Sequence, residues 1–157
     1  MESNKDVFQM LTILVSILCI GGITADTLCP DNWTAFRGSC YLFPHNNLSF
    51  HDAQRFCEHL GGYLTHVNDA TENAFLKSYL SDLKDSIHWI GLTDEVTEGI
   101  WRWYDNNQVA NFTNWHILTS EPNGGKAQNC VYIAEGHGYE WIDAPCDWKR
   151  TPLCEMR

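Results

Sequence analysis

Trp89-Ile90-Gly91-Leu92, followed by Trp101-Arg102-Trp103, Asn114-Trp115 and Glu121-Pro122-Asn123, is the stretch on which the fold reading turns. Residues 87–92 form a short apolar run with the look of a buried strand. From residue 93 to residue 127 the composition shifts to Asn, Asp, Gly and Thr, with aromatic residues between them. A long irregular segment inside a compact domain is usually functional or disordered. Its tryptophans favour order: Trp101, Trp103 and Trp115, with Trp141 beyond them, are read as loop core and not as platforms for a ligand. Near the end of the segment, Glu121 and Asn123 set two oxygen-bearing side chains on either side of Pro122. A third oxygen-bearing residue, Asp143, follows in Trp141-Ile142-Asp143, before Cys146. Taken alone, Glu-Pro-Asn is an ordinary surface turn.

Working outward, residues 33–36 and 38–43 read as two short strands of a hairpin bracketed by Cys29 and Cys40. Residues 49–60 read as a helix. Ser49 is its N-cap and Asp52 its capping-box acid, Phe50, Ala53, Phe56, Cys57 and Leu60 share one face, and Gly61 is the stop. A second helix is predicted over residues 70–83, capped by Asp69 with Glu72 as the acid at the third position. Its apolar stripe is read as Ala70, Ala74, Phe75, Tyr79, Leu80 and Leu83. Strands return over residues 129–133, 139–142 and 152–156. With no repeat, linker or low-complexity segment, this is one α+β domain of two helices, small antiparallel sheets and one long irregular loop.

The chain has 157 residues, enough for one domain and little more. Residues 1–25 read as a secretory signal, with an apolar run over about residues 7–23 and cleavage after Ala25, so residues 26–157 form the domain. A retained signal anchor fits less well. A span wants about 20 apolar residues, and Gln9, Thr12, Ser16, Gly21 and Gly22 interrupt this run. Cleavage deletes Cys19, so seven cysteines become six: Cys29, Cys40, Cys57, Cys130, Cys146 and Cys154. An even number in an exported chain implies three disulfides, and counting alone leaves 15 pairings. Zinc ligation is disfavoured, because no two of these cysteines have the C-x-x-C spacing. Sequons at Asn32, Asn47 and Asn111 agree with an extracellular location.

The net charge is −10, or −9 once Glu2, Asp6 and Lys5 leave with the signal. So acidic a surface argues against nucleic acid and anionic membranes as partners, and permits cations or mineral. The seven histidines show no H-x-x-x-H spacing, and there is no G-x-S-x-G elbow or phosphate loop. With every cysteine of the mature chain paired, no thiol nucleophile remains, and the chain does not read as an enzyme.

Together, Trp89-Ile90-Gly91-Leu92, Trp101-x-Trp103, Asn114-Trp115, Glu121-Pro122-Asn123 and the cysteine order ending Cys130, Cys146, Cys154 resemble the C-type lectin-like domain over about residues 29–156. The short single-domain architecture is similar to that of secreted perlucin-like lectins. The resemblance implies the C-type lectin-like fold and the pairings Cys29–Cys40, Cys57–Cys154 and Cys130–Cys146. It also implies a cis peptide before Pro122, which turns Glu121 and Asn123 to one side, X–Pro being the only bond where cis is cheap.

In sugar-binding members such residues coordinate calcium and hydrogen-bond two adjacent sugar hydroxyls. Glu before Asn resembles the variant that takes mannose-type sugars. The implied metal ligands are Glu121, Asn123 and Asp143, with Gln128 as a neutral fourth, and the implied carbohydrate ligands are Glu121, Asn123 and Asp143. Gln128 stands where the family usually has a glutamate, and Ile142 where it has an asparagine. Two carboxylates in place of three weaken a calcium site, and extracellular modules already bind in the range of roughly 10⁻⁴ to 10⁻³ M. Asp94 and Glu98 match an auxiliary calcium site whose other acidic positions are Gly124, Gln128 and Asn129 here. The plain alternative is a solvated acidic turn.

The expectation is a secreted, calcium-dependent lectin with mannose-type glycans as ligands and no membrane span in the mature chain. Any oligomer forms through the domain itself or through a partner, because Asp26 to Cys29 is only four residues, too short for a stalk after the signal. The competing expectation is a calcium-independent lectin-like module that binds protein or mineral matrix.

Overall fold

The order of sequence signals follows the order of elements in the computed structural model, which describes residues 29–84 and 87–157. The signal read over residues 1–25 lies outside the described residues. The hairpin consists of β1 (Thr34–Phe36) and β2 (Ser39–Leu42). Helix α1 (Phe50–His59) follows, capped by the Ser49 hydroxyl, which accepts the Asp52 N–H. Gly61, at φ +83°, takes the left-handed position just past its end. After β3 (Tyr63–Leu64) comes α2 (Ala70–Leu83), whose N-cap Asp69 accepts the Glu72 N–H. Then come β4 (Ile87–Thr93), β5 (Arg102–Trp103), β6 (Cys130–Ala134), β7 (Glu140–Ala144), β8 (Thr151–Pro152) and β9 (Cys154–Met156). Among the described residues no helix is long and apolar enough to cross a membrane.

Two sheets result. One has the strand order β1-β2-β9-β3, and the other β5-β4-β6-β7 with β8 parallel to β4. The single run expected over residues 152–156 is split between them at Leu153. Its N–H bonds the Trp89 carbonyl at 3.1 Å, and its carbonyl accepts the Thr65 N–H at 2.8 Å. The end of the described chain thereby stitches both sheets together. β6 is buried on both faces, with Val131 and Ile133 in one apolar cluster and Tyr132 and Ala134 in the other. That explains its unbroken apolar run. The disulfides are Cys29–Cys40, Cys57–Cys154 and Cys130–Cys146, as the resemblance implied.

The structure corrects three readings. The buried face of α2 is Glu72, Asn73, Leu76 and Leu80, whereas Ala70 and Ala74 are exposed and Leu83 is 49% exposed. The polar pair is satisfied from elsewhere: Glu72 accepts from the Tyr41 hydroxyl and the Asn68 N–H, and Asn73 accepts from the Trp141 indole. For the same reason Glu72 reaches back to Asn68 and not to its own cap residue. In α1, Leu60 is 41% exposed, so that stripe ends at Cys57. Strands β3 and β5, two residues each, were not anticipated.

Gly91 has a steric reason to be glycine. Its N–H bonds the Thr65 carbonyl at 2.9 Å, and a Cβ there would fall 2.4 Å from the Leu64 carbonyl oxygen. β4 approaches β3 only because that atom is missing. Gly91→Ala is expected to destabilise the fold by about 1–3 kcal/mol, read as a lower denaturation midpoint at unchanged m-value.

Candidate functional site

The site is built on the exposed edge of β7. There the chain 114–116 runs alongside: the Trp141 N–H donates to the Asn114 carbonyl at 2.9 Å and the His116 N–H to the Trp141 carbonyl at 3.0 Å. The Trp115 ring meets Trp141 edge-on at 5.8 Å and lies 4.8 Å from Trp101. Trp103 and Trp141 are buried. The tryptophans are the core of the long loop, as read from the sequence. His116 locks the stem further, with Nδ1 hydrogen-bonded to Glu140 Oε2 at 2.7 Å and its ring edge-on to His137. No periodicity or motif marks this pair in the sequence.

From His116 the chain makes a short 3-10 turn, Ile117–Thr119, and reaches Glu121-Pro122, whose peptide bond is cis. The two residues after the proline are gripped by one side chain. Asp143 Oδ1 accepts the Asn123 N–H at 3.0 Å and its Oδ2 accepts the Gly124 N–H at 2.9 Å. Asp143 is only 2% exposed. The Asn123 amide nitrogen donates to Glu121 Oε1 and to the Thr119 carbonyl, both at 2.9 Å, leaving Oδ1 as its available acceptor.

Glu121 and Gln128 complete the arrangement. Glu121 Oε2 and Gln128 Oε1 are both buried and accept no hydrogen bond. Gln128 folds across Gly124 so closely that a Cβ on Gly124 would lie 1.9 Å from Oε1. Burial, and then the neighbouring Asp143 carboxylate, push the Glu121 carboxyl above the usual carboxylate range. Two adjacent carboxylates and two donorless buried oxygens form a surplus of acceptors. A hard cation with six to eight oxygen ligands relieves such a surplus, so the residues present fit calcium. Ile142 supplies no oxygen. It is buried in the second apolar cluster, opposite Tyr132 on β6.

The acidic turn lies beside this group. Asp94 is 3% exposed; its Oδ2 accepts the Gly99 N–H at 2.8 Å and its Oδ1 accepts nothing. Burial raises its carboxyl above the ordinary range, and Glu98 and Asp143 add to the effect. A Glu98 carboxylate oxygen lies 3.8 Å from the Cβ position of Gly125, so the 94–99 turn faces the 124–125 backbone. Asp94 is thus withdrawn from water, whereas residues 95–99 of the same turn, Glu98 among them, are exposed. Glu95 also lies near the sulfurs of Cys130 and Cys146, but those sulfurs are joined in a disulfide and offer no thiolate.

The profile of the family described as "Lectin C-type domain" matches residues 46–156. The chain belongs to the C-type lectin domain family, whose members bind carbohydrate and are not enzymes. A perlucin-like protein of Mytilus galloprovincialis is 30% identical over 139 residues, which cover 87% of this chain and 88% of the relative. The carbohydrate-recognition domain of the mouse scavenger receptor C-type lectin superposes with a TM-score of 0.74 at 30% identity, covering 83% of this chain and 98% of that one. The cow C-type carbohydrate-recognition domain of CD23, solved in the presence of a GlcNAc2Man3 oligosaccharide, superposes at 0.73 with 32% identity over 83% of this chain and 96% of its own. C-type lectin domains generally bind calcium.

The Asp143 grip consists of two hydrogen bonds within the chain. Asp143→Asn turns an amide N–H toward one of the two backbone donors. We expect a loss of about 1–3 kcal/mol in calcium-free denaturation, which a surface aspartate such as Asp147 would not show on the same change.

Proposed function

We propose that the protein is a secreted, calcium-dependent lectin that prefers mannose-type sugars and serves recognition of microbial glycans. The observation that carries this reading is Glu121 Oε2, a carboxylate oxygen buried without a donor beside a second carboxylate. Such a group is costly to keep without compensation. Glu121, Asn123 and Asp143 would hold the ion, with Gln128 adding a neutral oxygen. When bound, calcium supplies a coordination point for two adjacent sugar hydroxyls. Around it the Glu121 carboxylate would accept from one hydroxyl, and the Asn123 amide N–H that bonds Glu121 Oε1 in the free protein would turn to another, which orders the pair and underlies the mannose-type preference. Asp94 and Glu98 are proposed as ligands of a second, auxiliary ion. The signal read over residues 1–25 and the exposed sequon residues Asn32, Asn47 and Asn111 support an extracellular, glycosylated protein.

A single site near 1 mM corresponds to only about 4 kcal/mol, so function at a cell surface would rest on several copies acting together. A second reading, a calcium-independent module for protein or mineral matrix, is favoured by one specific observation. Gln128 brings no charge and Ile142 brings no oxygen to the ligand set.

Retention on mannose resin and not on galactose resin in calcium, with elution by chelator, is the expected result. Retention on neither resin, or elution indifferent to chelator, supports the second reading and defeats the first. The change Gln128→Glu, which adds a carboxylate without entering the apolar cluster around Ile142, is expected to tighten calcium binding about tenfold, or about 1.4 kcal/mol, by calorimetry. An unchanged affinity would show that residue 128 does not face the ion.

A further inference from the structure

Asn123-Gly124 is the only Asn-Gly pair in the chain. Asparagine is a chemically labile residue, and glycine after it leaves the next backbone nitrogen unshielded from the amide side chain. Two separate demands create the pair here. The proposed sugar site asks for an amide at residue 123. At residue 124 a Cβ would lie 1.9 Å from Gln128 Oε1 and 2.3 Å from Gln128 Cβ, so the crossing side chain leaves room only for glycine. Asn123 is exposed, so water reaches it. Yet the groups that would react are all held. The Gly124 N–H, the nucleophile, donates to Asp143 Oδ2 at 2.9 Å. The Asn123 amide nitrogen, the leaving group, donates to Glu121 Oε1 and to the Thr119 carbonyl, both at 2.9 Å. Asp143 Oδ1 fixes the Asn123 N–H as well, at 3.0 Å. A carboxylate against an amide N–H also disfavours the deprotonated nitrogen, the form that attacks.

We propose that Asn123 is a deamidation site, and that Asp143 keeps it intact for as long as the loop is closed. When the loop opens, the Gly124 nitrogen gives up its proton and bonds the side-chain carbonyl carbon of Asn123. The bond from that carbon to the amide nitrogen breaks, and the nitrogen takes up the proton and leaves as ammonia. Water then opens the cyclic imide at either of its carbonyls. One opening leaves aspartate at residue 123. The other leaves isoaspartate, in which the main chain runs through the side-chain carbons. Water is the sole co-reactant, and nothing is oxidised or reduced. Both products exchange an amide donor for a carboxylate, and isoaspartate also lengthens the backbone between Pro122 and Gly124. The triplet thereby has a lifetime set by how often Asp143 releases it. The loss of a sugar-facing amide rests on the lectin reading of Glu121-Pro122-Asn123; the covalent chemistry does not.

The test incubates the full chain in warm neutral buffer with chelator. Conversion of residue 123 is followed by peptide mass, where an acid replaces the amide, and by isoaspartate methyltransferase labelling. The native parent is expected to convert about tenfold more slowly than the same chain held in denaturant. Asp143→Ala, with its tryptophan packing checked by near-ultraviolet circular dichroism, is expected to convert about fivefold faster than the parent. Asp147→Ala, a change at an exposed aspartate, is expected to keep the parent's rate. If Asp143→Ala loses the tryptophan signal, Asp143→Asn takes its place with the same direction expected. Equal rates in the native and denatured parent would overturn the proposal. So would a folded Asp143 variant no faster than the parent, or an Asp147 variant that gains as much. No conversion of residue 123 in denaturant, or faster conversion of another asparagine there, would overturn the choice of site. These readouts use no sugar, so their failure and a failure of the lectin reading on mannose resin are told apart.

Discussion

One carboxylate holds the functional end of this molecule together. Asp143 projects from β7, is withdrawn from water, and accepts the N–H groups of both residues that follow the cis proline. Without it, the Asn123 and Gly124 donors would lack a partner inside the protein, and the Glu121 N–H bond to the His116 carbonyl would be left to tie the triplet to the stem beside β7. The remaining supports are secondary to this one. Trp115 packs the loop against Trp141, two residues before Asp143 on β7, Trp101 packs on Trp115, and His116 ties the stem to Glu140. The scaffold's rigidity is thus delivered to the site through a single side chain on a buried strand.

That arrangement explains why the ligand set can vary while the loop keeps its shape. Asp143 carries a structural duty to two backbone groups, apart from any contact with an ion. Gln128 and Ile142 carry no such duty. Gln128 lies over Gly124, and Ile142 packs with Tyr132 in an apolar cluster that the fold needs in any case. Neither side chain hydrogen-bonds the 123–124 backbone that Asp143 holds, so the proposed ligand set lacks a charge at residue 128 and an oxygen at residue 142 while those two bonds stand.

Much of the architecture was legible because it is local. Ser49 and Asp69 are caps whose chemistry acts within three residues, and both helices begin where those caps stand. The buried strand at Trp89 and the packed tryptophans followed from composition. The disulfide pairing came from resemblance and could not have come from spacing. What stayed hidden is what distant residues supply. Glu72 reads from the sequence only as a capping acid and Asn73 carries no signal, because their partners Tyr41 and Trp141 lie far off in sequence. In the site, Glu121, Asn123 and Asp143 were visible as oxygen donors. The grip of Asp143 on two backbone N–H groups was not, because it depends on where a strand passes. Nor does any motif announce that Asp94 is buried or that His116 meets Glu140.

The strand order of the smaller sheet bears on how the chain is made. β9 lies between β2 and β3, so two strands formed early share no direct pairing and wait for one that comes last. A ribosome delivers residues 39–64 long before residues 154–156. Throughout that interval β2 and β3 present open edges to whatever surrounds them. The smaller sheet can therefore be completed only once β9 is synthesised, and the same segment links the two sheets through Leu153. A chain stopped even a few residues short would lack the piece that both halves require.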